Sequence, residues 1–188
     1  MATIVVADNV SLDGVIQDPV GDEGFARGGW VGLIADRPEL GQLFLEGALA
    51  TDALLMGRRT YEWFAGRWPQ RTGPLADRLN GLPKYVVSST LTDPEWANTT
   101  VIDGDWLAEV AALKQRLDGR IVVDASARIA RTLIEHELVD ELQLKVFPVV
   151  LGAGERLFDV TSSPRAFHLA EVRTLDGDTA FLRYTRAA

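Results

Sequence analysis

Short apolar segments alternate with segments of helical periodicity along most of this sequence, and that alternation restricts the fold more than any other feature. Strands are predicted at residues 3–7, 53–56, 84–88, 99–102 and 120–123. The helical pattern is clearest from Trp106 to Leu117, where apolar residues recur every three or four positions after Asp105, a favoured N-cap residue. Strands that alternate with helices of this length predict parallel βαβ units.

Other segments also carry helix and loop signals. Pro38 suits the first turn of a helix with one apolar stripe, and Ser126 is a candidate N-cap of a later helix. Short helices are predicted at residues 58–64 and 74–80. Residues 11–30 are rich in glycine and predict a long loop, and a loop of that length in a compact domain is usually functional.

The end of the chain changes from this alternation to paired strands. Apolar and polar residues alternate from Glu141 to Val146, which predicts a half-exposed strand. Two further β-rich segments, residues 166–174 and 179–186, are joined through Asp176-Gly177, a strong hairpin signal. We therefore expect a three-layer α/β/α sandwich with a mixed, mostly parallel sheet and a C-terminal antiparallel hairpin, in a single domain of residues 1–188.

Composition excludes several classes of function. The chain has 188 residues, 47% hydrophobic and 24% charged, which is typical of a globular domain and not of a disordered or membrane protein. A net charge of −8 without a stripe of Lys or Arg gives nucleic-acid binding no electrostatic basis. The chain has no Cys, which excludes thiolate catalysis. It also has no pair of His at i, i+4, so a catalytic metal lacks ligands. Residues 1–10 predict a first strand rather than a signal peptide, so we expect a cytoplasmic protein.

Three predicted strand-to-helix junctions are candidate ligand sites, because open α/β sheets bind ligands beyond the carboxyl ends of their strands. The first junction contains Gly57, Arg58, Arg59 and Thr60. Free N–H groups at a helix start, two guanidinium groups and a hydroxyl favour a phosphate there. A glycine turn followed by surface arginines is the alternative interpretation of the same residues.

The other two junctions carry hydroxyl groups and small residues. Ser88 and Ser89 follow the third predicted strand, where they either contact a ribose or phosphate or form a plain turn. Asp124, Ala125 and Ser126 follow the strand at residues 120–123. Small residues allow close approach of a ligand, whereas the Asp124 carboxylate would repel a pyrophosphate unless it points away or holds a ribose hydroxyl.

Five strings of residues, taken together, resemble a known family. They are SLDGVI at residues 11–16, ALLMGRRTYE at 53–62, KYVVS at 84–88, LVDEL at 138–142 and PVVLGAG at 148–154. They resemble the dihydrofolate reductase-like superfamily, in particular the C-terminal reductase domain of riboflavin-biosynthesis deaminase-reductases. The resemblance implies the dihydrofolate reductase fold, a homodimer, NADPH as cofactor, and reduction of a small nitrogen heterocycle such as a riboflavin-pathway pyrimidine or a pterin.

The resemblance also assigns cofactor-binding roles to residues. Gly57, Arg58 and Thr60 match the family's cofactor-phosphate loop, and residues 88–89 match the turn beside the adenosine 2′-phosphate. Family members commonly have an arginine in that turn, and because a hydroxyl cannot neutralise the extra phosphate, Arg59 is a candidate substitute. The third loop is normally rich in glycine, whereas here it is the Asp-Ala-Ser string at residues 124–126. This departure leaves one alternative open, a binding or sensor protein that keeps the fold without catalysis.

Candidate proton donors lie in or near the glycine-rich loop. Reduction of a C=N bond consumes a proton, and Asp13, Asp18 and Asp36 are available, with Asp13 and Asp36 the preferred catalytic candidates. Asp13 has the alternative role of a turn-forming Asp-Gly, and Asp36 that of a helix cap. In the family that this chain resembles, folate reductases keep a carboxylate on the first long helix, and here Glu39 or Glu46 would have to serve.

The candidate substrate contacts are mostly glycines. The full set is Gly14, Ile16, Trp30, Gly152 and Gly154. Trp30 either floors a heterocycle pocket or fills space, as large aromatic residues usually do. Gly152 and Gly154 either let the backbone line the ligand or form an ordinary turn.

Overall fold

The computed structural model describes residues 1–33, 37–161 and 163–187. Its strands are β1 (Thr3–Ser11), β2 (Ala53–Gly57), β3 (Lys84–Val87), β4 (Thr99–Ile102), β5 (Arg120–Asp124), β6 (Glu141–Phe147), β7 (Phe167–Leu175) and β8 (Thr179–Arg186). Its α-helices are α1 (Pro38–Leu49), α2 (Arg58–Ala65), α3 (Pro74–Gly81), α4 (Trp106–Arg116) and α5 (Ala127–Glu135). A short 3₁₀ turn, Trp30–Leu33, precedes α1.

The strands form one sheet in the order β4-β3-β2-β5-β1-β6-β8-β7. The strands from β4 to β6 in that order are parallel, and β8 runs antiparallel to both β6 and β7. The predicted mixed sheet with a C-terminal hairpin is therefore confirmed. Because the parallel strands all run the same way, their carboxyl ends meet at one edge of the sheet.

Helices cover both faces of the sheet. On one face, Val110 of α4 and Leu133 of α5 lie in the same core as Ile4 and Val123. On the other face, Ala48 of α1, Tyr61 of α2 and Leu79 of α3 lie in a core with Leu54 and Val86. Neighbouring residues of β2 belong to the two different cores, which is the period-two alternation of a strand buried on both sides.

Strand β1 extends beyond the strand predicted at residues 3–7, and its two neighbours do not follow it equally far. Pairing with β5 ends at Ala7 opposite Asp124, whereas pairing with β6 continues to Ser11 opposite Phe147. The polar residues at the end of β1 weaken the apolar strand signal, but the β6 ladder satisfies their backbone groups. As a result, β1 and β5 separate at Asp8.

Strand β6 is not half-exposed as the alternation predicts. Glu141 and Lys145 occupy the polar phase of the pattern but are only 5% and 6% exposed. Glu141 forms ion pairs with Arg120 and Arg183, and the Lys145 ammonium lies 4.6 Å from the centroid of the Phe44 ring on α1. The polar phase of β6 therefore marks buried, compensated charges rather than a solvent-facing side.

The helices within the described ranges include none that is both long and apolar enough to cross a lipid bilayer.

Candidate functional site

Hydrogen bonds join the junction after β2 to the junction after β5. The backbone N–H of Gly57 donates to Ser126 Oγ at 3.2 Å, and Ser126 Oγ donates to Thr60 Oγ1 at 3.0 Å. Thr60 Oγ1 in turn donates to the carbonyl oxygen of Ala125 at 2.9 Å. Residues that are 65 or more positions apart in the chain therefore share one place at the carboxyl edge of the sheet.

This shared place brings two helix N-termini side by side. α2 starts after Gly57 and α5 starts after Ser126, and neither has a side chain that caps its first turn. The sequence suggested Ser126 as a cap, but its hydroxyl is used between Gly57 and Thr60 instead. Two adjacent helix starts with uncapped N–H groups and partial positive charge suit a phosphate ligand.

Arg58 connects this place to the junction after β3. Its Nη1 donates to Thr90 Oγ1 at 2.6 Å, and its Nε donates to Glu62 Oε1 at 2.6 Å. Ser88 Oγ accepts the N–H groups of Thr90 and Leu91 and so forms the turn, while Ser89 is exposed. The guanidinium that reaches the turn is thus that of Arg58.

Arg59 points elsewhere, which corrects the suggestion that it could replace the missing arginine of that turn. Its guanidinium pairs with Glu23 of the glycine-rich loop. In the same region Asp22 accepts the indole N–H of Trp63 at 2.9 Å and pairs with Arg67. These contacts fix the glycine-rich loop against α2.

The third junction has features that both fit and depart from a glycine-rich phosphate loop. Ala125 has a φ of +49°, in the left-handed region that favours glycine, so the backbone has the glycine-type shape without a glycine. Burial raises the pKa of the Asp124 carboxyl, and the Lys145 charge opposes that rise. A carboxyl whose charge burial disfavours and Lys145 compensates repels a phosphate less than a free carboxylate, so the described residues fit a dinucleotide phosphate.

Asp13 connects the end of β1 to the loop after β6. Its carboxylate accepts the N–H groups of Leu151 at 3.0 Å and Gly152 at 2.7 Å, and the Ser11 hydroxyl at 2.7 Å. The Leu151 N–H, with these other donors, lowers the pKa of Asp13 from 3.8 to about 2. An acid with that pKa holds no proton near neutral pH, so the structure argues against Asp13 as a proton donor and gives it a positioning role.

Replacing Asp13 with Asn should loosen this connection, because an amide lacks the charge that strengthens the bonds. Amide exchange at Leu151 and Gly152, corrected for intrinsic rates, should become faster. Since the folded pKa is lowered, the stabilisation by Asp13 is present above pH 3.8 and is lost as the pH falls towards 2. Asp103→Asn is the control, since Asp103 accepts the N–H of its own neighbour Gly104. Equal exchange in wild type and in the Asp13 variant would contradict this role.

The other acidic candidates are engaged elsewhere or fall outside the described residues. The Asp18 carboxylate accepts the N–H groups of Gly21, Asp22, Glu23 and Phe25, so it is occupied by the backbone of its own loop. Glu39 accepts the N–H of Asp176, and Glu46 accepts the side-chain amide of Gln42. Both glutamates are exposed, and the Glu39 bond lies at the turn between β7 and β8, beside the carboxyl end of β6. Asp36 lies outside the described residues.

The candidate substrate residues divide into loop glycines and core residues. Gly152 and Gly154 have φ values of +70° and +113°, and a Cβ on Gly154 would come within 2.7 Å of Val15 Cγ1. Gly14 has a φ of +83° in the turn that leads out of β1. Ile16 is 8% exposed and belongs to the core below α5. Trp30 is 1% exposed, packs edge-on against Phe147 and donates its indole N–H to Gln17 O at 2.9 Å, contacts that fit the space-filling alternative.

Sequence reasoning missed one polar cluster at the same edge. Asp8 is 5% exposed. The next residue, Asn9, lies opposite Lys145 in the register of β1 and β6. The sequence signal for this cluster is an acid, Asp8, inside an apolar strand. Groups of three or more His, Cys, Asp or Glu that could hold a metal are not found in the described part of the chain.

Comparisons with known proteins fit this geometry. The family described as the RibD C-terminal domain matches residues 2–181. The chain belongs to this family. The RibD C-terminal domain of this chain is 29% identical over 154 residues to the uncharacterized protein YyaP of Bacillus subtilis (strain 168), which covers 79% of this chain and 76% of YyaP.

Two solved structures share the fold of this RibD C-terminal domain. A putative riboflavin biosynthesis protein from Shewanella sp. PV-4 has a TM-score of 0.79, with 22% identity over 100% of both chains. Dihydrofolate reductase from Enterococcus faecalis, complexed with NADP(H), has a TM-score of 0.61, with 16% identity over 99% of this chain and 97% of that enzyme. The dihydrofolate reductase-like fold expected from the five strings is confirmed.

Proposed function

We propose that this RibD C-terminal domain protein is an NADPH-dependent oxidoreductase that reduces a small nitrogen heterocycle, a riboflavin-pathway pyrimidine or a pterin-like compound. The observation that carries the proposal is the meeting of two uncapped helix starts with Arg58 at the carboxyl edge of the sheet. The cofactor would supply the hydride. The protein's own contribution is to bind, orient and exclude water, because hydride transfer needs few reacting side chains.

Different residues would hold different parts of the dinucleotide. The N–H groups at the starts of α2 and α5, with Thr60 and Ser126 between them, would hold the pyrophosphate. Arg58 and the turn at residues 88–90 would hold the adenosine 2′-phosphate, because a guanidinium supplies the charge that Ser88 and Ser89 lack. The heterocycle would then lie towards β1 and the loop of Gly152 and Gly154.

A pyrimidine fits the described residues better than folate does. Folate recognition of the expected kind requires an acid on α1 that is available to the ligand, whereas Glu39 accepts the N–H of Asp176 and Glu46 accepts the amide of Gln42. We also propose that the protein is cytoplasmic, and the family resemblance leads us to propose a homodimer. Exposed Leu169 and Val172 on the edge strand β7 are consistent with a covered surface there.

The alternative is a binding or sensor protein that keeps the fold without catalysis. Asp124 and the strained Ala125 favour it, because both depart from a glycine-rich cofactor loop. The two candidates differ in turnover. A reductase would consume NADPH in the presence of a pyrimidine or pterin acceptor, whereas a binding or sensor protein would not.

Titration with NADPH should stabilise the protein. A ligand that binds only the folded state at a hundredfold excess over Kd adds about 2.7 kcal/mol to the free energy of unfolding. Thermal denaturation and nicotinamide fluorescence would both report it, with ATP as a control for a non-specific anion effect. Absence of both signals at millimolar NADPH would contradict the proposed reductase and favour the alternative.

A further inference from the structure

One buried carboxyl group at the carboxyl edge of the sheet has no role in the contacts described so far. Asp8 is 5% exposed, and its Oδ2 has no hydrogen-bond partner within the described ranges. The neighbouring Asn9 Oδ1 is also buried and also lacks a partner there. Successive side chains of a strand point to opposite faces of the sheet, so these two atoms lie on opposite sides of β1. Buried polar atoms are nearly always hydrogen-bonded, so the unpartnered Asp8 Oδ2 indicates a polar group at this end of β1 that the described residues do not supply.

The position of Asp8 in the sheet gives a ligand access to it. Asp8 is the first residue of β1 beyond the last pair with β5, which is Ala7 opposite Asp124. β5 stops there and the chain turns towards the start of α5, while β1 continues along β6. Asp8 therefore lies where the two strands separate, beside the place proposed for the dinucleotide.

The charges around Asp8 come from three neighbouring elements. Asp124 at the end of β5 and Glu155 after β6 add negative charge, and Lys145 on β6 adds positive charge. The Lys145 ammonium lies over the Phe44 ring and has no hydrogen-bond acceptor among the described residues. Burial raises the pKa of Asp8 well above 3.8, and the Asp124 charge adds to that rise. A single proton on this group would leave Asp124 and Lys145 as a compensated pair.

We propose that Asp8 is the proton donor of the reduction, held at the separation of β1 and β5 beside Asp124 and Lys145. The assignment rests on the proposed function. As the carbon of the C=N bond accepts the hydride from the reduced nicotinamide, the Asp8 carboxyl gives its proton to the nitrogen. The π bond is lost, a C–H and an N–H bond form, and Asp8 remains as a carboxylate near Lys145. Water then returns a proton to it.

Proton release on nucleotide binding tests this assignment without a known substrate. The oxidised nicotinamide ring is cationic and the reduced ring is neutral, so NADP⁺ next to Asp8 should favour the carboxylate and expel its proton, whereas NADPH should not. The 2′-phosphate is common to both, so the difference between the two nucleotides isolates the ring. Calorimetric titrations in buffers of different ionisation enthalpy should give a difference of up to about one proton near neutral pH in the wild-type protein.

Variants then identify the group. Asp8→Asn should abolish the difference in proton release between NADP⁺ and NADPH while both nucleotides still bind. Asp124→Asn should retain it and move its midpoint to lower pH, since a like charge is removed. Asp118→Asn, a charge-matched change at an exposed residue paired with the N-terminus, should behave like wild type.

The outcomes separate the two proposals. If the wild-type protein binds neither nucleotide, the proposed function fails and this assignment fails with it. Binding of both nucleotides with no difference in proton release, or with the same difference in Asp8→Asn, overturns the assignment of Asp8 alone. If Asp8→Asn does not fold, two measurements still test the assignment. They are the difference in proton release between the two nucleotides in the wild-type protein and the shift of its pH midpoint in Asp124→Asn.

Discussion

Replacing Lys84 with Met should lower the free energy of unfolding by about 3–5 kcal/mol. Lys84 is fully buried, and its Nζ donates to the carbonyl oxygens of Asn80, Leu82 and Ala97 at 2.8–3.0 Å. Its ammonium also lies 4.2 Å from the centroid of the Trp96 ring. Methionine keeps the apolar stem but leaves the three carbonyl groups without this donor. Urea denaturation would measure the loss, which is a large part of the roughly 5–15 kcal/mol typical of a folded domain.

The same substitution at another buried lysine provides the control. Lys145 is 6% exposed, but its ammonium has only the Phe44 ring and the charges of Asp8 and Asp124 near it among the described residues. Lys145→Met leaves no carbonyl group unpaired but removes the positive charge near Asp8 and Asp124. Burial already raises the pKa of both carboxyls, so they can take up a proton instead, and the loss of stability should be smaller than at Lys84. Equal losses at the two lysines would contradict the role of the three carbonyl bonds.

The pH dependence of the Lys84 effect has a definite sign. Burial lowers the pKa of Lys84 from 10.5 to about 8. Between these values the unfolded chain binds more protons than the folded one, so this group makes wild-type stability rise with pH across that window. Lys84→Met lacks the contribution, and the difference in unfolding free energy between wild type and variant should widen from about pH 8 to pH 10.5.

Replacing Arg58 with Ala should lower the affinity for NADPH by about 10- to 30-fold and leave the affinity for NADH unchanged. Hydrogen bonds to a charged group contribute about 1.5–3 kcal/mol, and the lower part of that range applies because the Arg58 side chain is 47% exposed. The expected selectivity follows from the bond of Arg58 to Thr90 in the turn proposed for the 2′-phosphate. Fluorescence titration with both nucleotides measures the two affinities.

Arg59→Ala is the matched control, since it removes the same charge one position away. Arg59 is paired with Glu23 on the glycine-rich loop, so this variant should keep its NADPH affinity within about threefold. Equal weakening of NADPH and NADH by Arg58→Ala would place that side chain at the pyrophosphate instead. If Arg58→Ala weakens the binding of neither nucleotide, Arg58 is not part of the binding site.

Local patterns predicted the elements of the fold because their signals are short in range. The helix at Trp106 follows from its apolar spacing, and Asp105 caps it as expected, with its carboxylate accepting the N–H of Ala108. The Asp176-Gly177 turn likewise fixed the hairpin of β7 and β8. Junction residues such as Thr60 and Ser126 were also predictable as neighbours, because parallel strands end at the same edge.

The functions of single side chains were not predictable in this way. Asp13 and Asp18 both occupy turns in the sequence, and only the fold shows that their oxygens accept backbone N–H groups of the loops. The reach of Arg58 rather than Arg59 towards Thr90 depends on which side of α2 each residue occupies relative to β3. Contacts between distant segments decide these roles, and sequence spacing holds no information about them.

The sequence by itself determined the order of strands and helices, the family, and the edge of the sheet at which a ligand belongs, because each depends on periodicity or on turn chemistry within a few residues. Only the tertiary structure decided that Asp8, Lys145 and Lys84 are buried and which of their atoms have partners. Burial and the neighbouring charges set the protonation of such groups, and both come from segments that are remote in the chain.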